Sequence, residues 1–167
     1  HKNPANEAIM LSGEPLGEGR ERICYQHPDF DDRVVKVPNK GVSQQTQREL
    51  RFYRDLERRA DLSLITQLPA FFGTVDTNLG PGLVVEKICD HDGTISLSMW
   101  QYLDRGCDLK EFAPYLHELK LFLFGHLLVF NHDLVPSNLF FRKLSANQAQ
   151  LVAIDGLGDV VKFPVLN

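Results

Sequence analysis

The stretch HDLVPSNLFFRKLSANQAQLVAIDG, residues 132–156, decides how this chain is read. It opens as a polar loop over 131–138 and continues as a β-prone run, 139–142. A turn at 145–147 follows, and a second apolar run covers 151–154. Two short runs with Ser, Ala and Asn between them predict an antiparallel hairpin. In such a hairpin the residue entering the first strand lies opposite the residue leaving the second, so Asn138 and Asp155 meet. The loop before the hairpin supplies Asp133, and three oxygen-bearing side chains then converge at one end of it.

Carboxylate and amide oxygens are hard ligands of the kind Mg²⁺ prefers, with one or two from protein and the rest from water and phosphate. Asn138 and Asp155 fit that donor set. Asp133, kept off the metal, is placed to accept a proton from an attacking hydroxyl.

Upstream, the most apolar stretch is 112–130, interrupted by Glu118, Lys120 and His126. Those interruptions make it a poor membrane span and predict a buried helix over 109–130, apolar nearly all round, at the centre of a second layer. His126 is expected to be a core histidine bonded to a backbone carbonyl. Residues 89–108 read as a mixed segment. Before them, strand-like runs at 70–75 and 83–88 flank the turn-rich 76–82 as a second hairpin.

Ser43 is a plausible cap for a helix running to about residue 60. On it Tyr53, Leu56 and Ala60 follow Glu49 at i+4, i+7 and i+11, whereas Arg51, Arg54 and Arg58 share the other side. Glu49 therefore belongs to the apolar face, where a carboxylate needs a cationic partner. The basic cluster 48–59 is interspersed with Glu49, Asp55 and Glu57 and reads as a solvated face. At the front, 12–37 carries a glycine-bearing turn at Gly17 and Gly19 and short strands at 22–25 and 33–37. Taken together, about five strands form a small antiparallel sheet.

Composition sets the outer bounds. The chain has 167 residues, 43% of them apolar, with 11 Phe and a formal charge of −4. That length and apolar content predict one folded domain, and the charge balance disfavours a nucleic-acid partner. Three cysteines, Cys24, Cys89 and Cys107, include no CxxC pair, so neither a disulfide framework nor a zinc ribbon is encoded, and a cytoplasmic location fits. Cys89, His91, Cys107 and His117 match no zinc spacing. No membrane segment is expected. Because residue 1 is His, residues 1–8 are taken as a tag remnant or processing scar outside the fold.

The residues have a familiar order. HDLVPSN places Asp133 five residues before Asn138, as in the protein-kinase catalytic loop, and VAIDGLG places Asp155 after a short hydrophobic strand, as in the kinase metal-binding segment. LGEGR at 16–20 resembles a glycine-rich loop, VVKV puts Lys36 at the phosphate-pairing lysine, and REL puts Glu49 at its helix partner. Across 16–155 the order and spacing resemble the small bacterial kinase-like family named for the PhoP regulatory network protein YrbL. The resemblance implies an α+β, trimmed protein-kinase-like fold over 9–167. Its N-lobe, about 9–88, is a small antiparallel sheet with one helix, and its truncated C-lobe, about 89–167, is a minimal helical lobe carrying the catalytic-loop hairpin. It implies ATP and Mg²⁺ as cofactors, with Lys36 on the α- and β-phosphates, Glu49 orienting Lys36, and Asn138 and Asp155 holding Mg²⁺. Asp133 would be the base, and Gly17, Gly19 and Glu86 would join Lys36 around the nucleotide.

Three departures qualify that pattern. Arg22 replaces the third glycine of the loop, Val135 stands where serine/threonine kinases carry a lysine, and the HRD arginine is missing because His132 directly precedes Asp133. The chain ends 12 residues after Asp155 without an APE segment, so phosphorylation of a protein substrate is not expected. Two functions follow as expectations: a Mg-ATP-binding phosphotransferase with an unknown acceptor, or a non-catalytic regulatory module that binds a protein partner. Alone, the GEG at 17–19 would be an ordinary turn, and Asp133 and Asn138 would be backbone-capping Asx residues. Asp159 reads as a solvated acid.

Overall fold

The β-branched run Arg33–Pro38 (β3) is buried along nearly its whole length, which a strand achieves only with neighbours on both edges and cover on both faces. A computed structural model, describing residues 7–41, 43–126 and 134–155, supplies those neighbours. Gly17–Glu18 (β1), Arg22–Gln26 (β2), β3, Phe71–Thr77 (β4) and Gly80–Glu86 (β5) form one antiparallel sheet in the order β1-β2-β3-β5-β4. The chain is thus a mixed α+β structure, and the expected sheet of about five strands is present. The two strand-like runs at 70–75 and 83–88 are offset by a few residues, because the turn between β4 and β5 is narrower than its Gly- and Pro-rich composition suggested.

Side-chain parity divides this sheet into two faces. Val35 lies opposite Val84 and Ile23 opposite Val37, and these residues pack with Leu11 into one apolar cluster. The other face carries Cys24 opposite Lys36, and Lys36 opposite Leu83.

Gln44–Arg59 (α1) begins where the sequence indicated: the Ser43 Oγ accepts from the Thr46 N–H at 3.2 Å and caps it. Phe52, Tyr53 and Leu56 are buried, whereas Arg51, Arg54 and Arg58 are exposed. Burying three such side chains contributes roughly 1.5–3 kcal/mol each. That exceeds what helix propensity alone supplies and fixes which way α1 turns.

The second half is assembled differently from the sequence reading. The mixed segment holds Leu97–Ser98 (β6) and Met99–Asp104 (α2), the latter opened by a reciprocal capping box between Ser98 and Gln101. The expected helix over 109–130 divides. Leu109–Phe112 is a 3-10 turn and Ala113–Gly125 (α3) is the α-helix, with Pro114 near its start, a position where the missing N–H costs nothing. Residues 127–130 lie outside those described. Nor is α3 buried all round: Leu119 and Leu123 enter the core, but Leu121 is 59% and Phe124 70% exposed. Apolarity on every side could not show which stripe would find a partner. His126 is half-buried, its Nδ1 3.0 Å from the Phe122 carbonyl.

Leu139–Lys143 (β7) and Ala149–Ala153 (β8) form the expected hairpin, and β6 adds to it as a third strand. A core of Phe52, Tyr53, Leu56 and Leu68 from the first half joins Met99, Phe112, Leu119, Leu139 and Leu151 from the second. Gln67 ties the two through main chain: its carbonyl accepts from the Ala153 N–H at 3.0 Å, and its amide donates to the Leu151 carbonyl at 3.2 Å.

Candidate functional site

Strand parity delivers three side chains to one place. Arg22 and Cys24 project from the same face of β2, and the β2–β3 register sets Cys24 against Lys36. Glu49, on the apolar stripe of α1, is 1% exposed and comes up to meet them. Asp155 arrives from the far end of the terminal hairpin. Register there is Leu139 to Ala153, so Asn138 faces Ile154, whose N–H donates to the Asn138 carbonyl at 3.0 Å. Asp155 follows one residue later, beside Asn138 instead of directly opposite it.

The four charged groups close a network. Lys36 Nζ donates to Glu49 Oε1 at 3.1 Å, to Asp155 Oδ1 at 3.1 Å and to the Ile154 carbonyl at 2.9 Å. The Arg22 guanidinium pairs with the Glu49 carboxylate through Nη1 and donates from Nη2 to Asp155 Oδ1 at 2.7 Å. Two cations and two anions balance, which burial at this depth requires.

Electrostatics follow from that closure. Burial by itself would push the Asp155 carboxyl up, but the Lys36 and Arg22 charges and hydrogen bonds outweigh it and hold the group below its ordinary value. Burial likewise opposes the Lys36 ammonium, and Asp155 and Glu49 overcome it, so the amine stays protonated above its usual range. Burial raises the neighbouring Cys24 thiol, which makes it a poor nucleophile.

Arg22, Cys24, Lys36 and Asp155 line a cavity of about 480 Å³, with Glu49 buried behind them. That volume suits a small organic ligand. Gly17 and Gly19 lie along it; a Cβ at Gly17 would meet nothing within 4 Å, and one at Gly19 only the Arg22 carbonyl, at 3.5 Å. Neither glycine has positive φ, so what they contribute here is the absence of a side chain at the cavity edge. Val34, Val85, Ile88 and Ile95 give the opposite part an apolar lining. Glu86 lines it too, with its carboxylate held by Arg142 Nη2 at 2.6 Å and the Ala70 N–H at 3.0 Å.

Lys36, Asn138, Asp155, Gly17, Gly19 and Glu86 therefore line one cavity, and Glu49 joins them from behind through Lys36. Asp133, His132 and Asp159 fall outside the described residues. Val135 is exposed. Asn138 and Asp155, an amide and a carboxylate at adjoining backbone positions, suit a hard divalent cation that keeps water and ligand oxygens. Among the described residues no group of three or more His, Cys, Asp or Glu gathers as a metal cage. Arg22 is the participant that sequence reading missed. Its signal was parity: a residue two before Cys24 on a strand shares its face.

The sequence profile of the family described as "PhoP regulatory network protein YrbL" matches residues 9–167. The protein described as "Uncharacterized protein YrbL" from Escherichia coli (strain K12) is 32% identical over 165 residues, covering 94% of this chain and 77% of the relative. The protein of the same description from Shigella flexneri matches to the same extent. Among the described residues no helix is long and apolar enough to cross a membrane.

Proposed function

We propose that this chain, which belongs to the PhoP regulatory network protein YrbL family, binds ATP with Mg²⁺ in a trimmed kinase-like cleft and transfers the γ-phosphate to an acceptor. The observation that carries this reading is Lys36 Nζ lying 3.1 Å from both Glu49 and Asp155 on the wall of the cavity. A strand lysine paired with a helix carboxylate, close to an aspartate able to hold Mg²⁺, is the set of groups that phosphoryl transfer by kinases relies on.

In this reading the apolar lining from Val34, Val85, Ile88 and Ile95 takes the base, and the side with Gly17 and Gly19 leaves room for the phosphates. Lys36 turns from Asp155 to the α- and β-phosphates while Glu49 keeps its ammonium in place. Asn138 and Asp155 would hold Mg²⁺, which when bound neutralises charge on the phosphate oxygens. Asp133 takes the proton of the attacking hydroxyl. Positioning and charge neutralisation supply most of the rate in this chemistry.

A second reading rests on Val135: without a lysine there the transferred phosphate loses a cation, which favours a regulatory module that binds nucleotide without turnover and docks on a protein partner. Measuring Mg-ATP affinity and slow hydrolysis for the native chain, Asp155→Asn and Asp133→Asn separates the two. Catalysis predicts binding lost in Asp155→Asn, and hydrolysis lost but binding kept in Asp133→Asn. Binding by the native chain with no turnover anywhere selects the regulatory module, and absence of Mg-ATP binding by the native chain sinks both.

A further inference from the structure

Asp155 has partners of its own within the chain. Its Oδ1 already accepts from two cations, and one of them, Arg22, stands where the glycine-rich pattern would place a residue without a side chain. We propose that Arg22 is an internal competitor for the divalent cation at Asp155, so that metal and nucleotide enter only as its guanidinium lets go. The inference rests on Asp155 being a metal ligand, as the function proposed above requires.

Three observations carry it. First, the guanidinium is bonded to the very carboxylate the metal needs, at 2.7 Å, with its side chain 6% exposed. A divalent cation on that carboxylate would sit against a like charge, so the two occupants oppose each other. Second, Arg22 has somewhere to go. Its Nη1 is paired with Glu49, so releasing Asp155 does not strand a buried charge. Third, the competitor opens β2 at the end of the turn that borders the cavity. The Gly19 N–H donates to the Arg22 carbonyl at 2.8 Å, closing the turn between β1 and β2, so movement of Arg22 is coupled to the glycine segment. Lys36 differs in this respect, since kinase-like binding uses it on the phosphates, whereas Arg22 has no counterpart there. The consequence is a site that resists metal alone and accepts it together with a polyanion that draws the guanidinium away.

Mn²⁺ can be titrated as a paramagnetic probe, counting free ion by electron paramagnetic resonance, into the native chain, Arg22→Gln, Arg22→Lys and Arg22→Gln/Asp155→Asn. Circular dichroism checks folding. Removing the competitor should tighten Mn²⁺ binding about tenfold, within the usual coupling between residues of one charged network. Arg22→Lys, which keeps the charge but offers one nitrogen in place of the two that reach Glu49 and Asp155, should tighten it less; if Arg22→Gln does not fold, Arg22→Lys is compared with the native chain. The gain should vanish in the double variant. Unchanged or weaker Mn²⁺ binding in a folded Arg22 variant would overturn the proposal, as would a gain that survives Asp155→Asn. A parallel ATP titration separates the two ideas: tighter Mn²⁺ without ATP binding in any chain leaves the competition standing and removes the nucleotide reading.

Discussion

Tyr53 shows how one side chain can set a pH limit. It is 2% exposed, its hydroxyl donates to the Pro69 carbonyl at 2.9 Å, and its ring stacks on Phe71 at 4.8 Å. Burial first, and then the Glu49 and Asp155 charges, raise its phenol well above the ordinary value. An acid whose folded pKa exceeds its unfolded one binds more protons when folded, so stability falls as pH rises past the unfolded value, about 10. Tyr53→Phe should cost about 1 kcal/mol at neutral pH through the lost hydrogen bond, yet lose less stability than the native chain above pH about 10. Urea melts of both chains at pH 7 and pH 10.5 would measure this, and parallel losses would exclude the assignment. Glu49 illustrates the same scale from the sequence side. Its place on the apolar stripe of α1 was legible from spacing alone and the kinase resemblance supplied Lys36 as its partner, but Arg22 was not foreseen, because it comes from a strand whose register the stripe does not encode.

At the scale of elements, β3 and β5 pack tightly against each other. Val35, Val37, Leu83 and Val85 are all essentially buried, and the two strands meet so closely that Gly82 has no room for a side chain. A Cβ there would lie 2.6 Å from Val35 Cγ1 and 3.4 Å from Val37 Cγ1. Gly82→Ala should therefore destabilise by about 1–3 kcal/mol through overpacking, read as a lower melting temperature with unchanged far-UV circular dichroism. A neutral result would mean that β3 can shift at no cost. The elements also show where sequence patterns ran out. The β6 strand of two residues and the six-residue α2 are too short to produce periodicity, and α3 carries apolar residues on every side, so neither length nor exposed face could be read from it.

For the whole molecule, the cavity is built from both halves: Lys36 and Arg22 come from the five-stranded sheet, Asn138 and Asp155 from the residues flanking β7 and β8 of the three-stranded one. A ligand spanning them should resist their separation. If Mg-ATP binds as proposed, 100-fold excess over its Kd would stabilise the folded chain by about 2.7 kcal/mol and raise Tm by roughly 5–10 °C. Thermal melts with Mg-ATP, with ATP alone and with Mg²⁺ alone would measure it. No shift with Mg-ATP at saturating concentration would count against a site shared by the two sheets.

The sequence by itself determined the local pieces: the Ser43 cap, the buried stripe of α1, the terminal hairpin and the chemical type of each site residue. It did so because capping, periodicity and turn chemistry act over a few residues. Tertiary structure alone decided that Asp155 lies beside Asn138 and not directly opposite it, that α3 leaves Leu121 and Phe124 in the open, and that Arg22 reaches Asp155. Those outcomes depend on strand register and on which face finds a partner. Both are set by contacts between separate elements, from the Ile154 N–H on the Asn138 carbonyl to Arg22 on Asp155, 133 positions away, which local patterning does not encode.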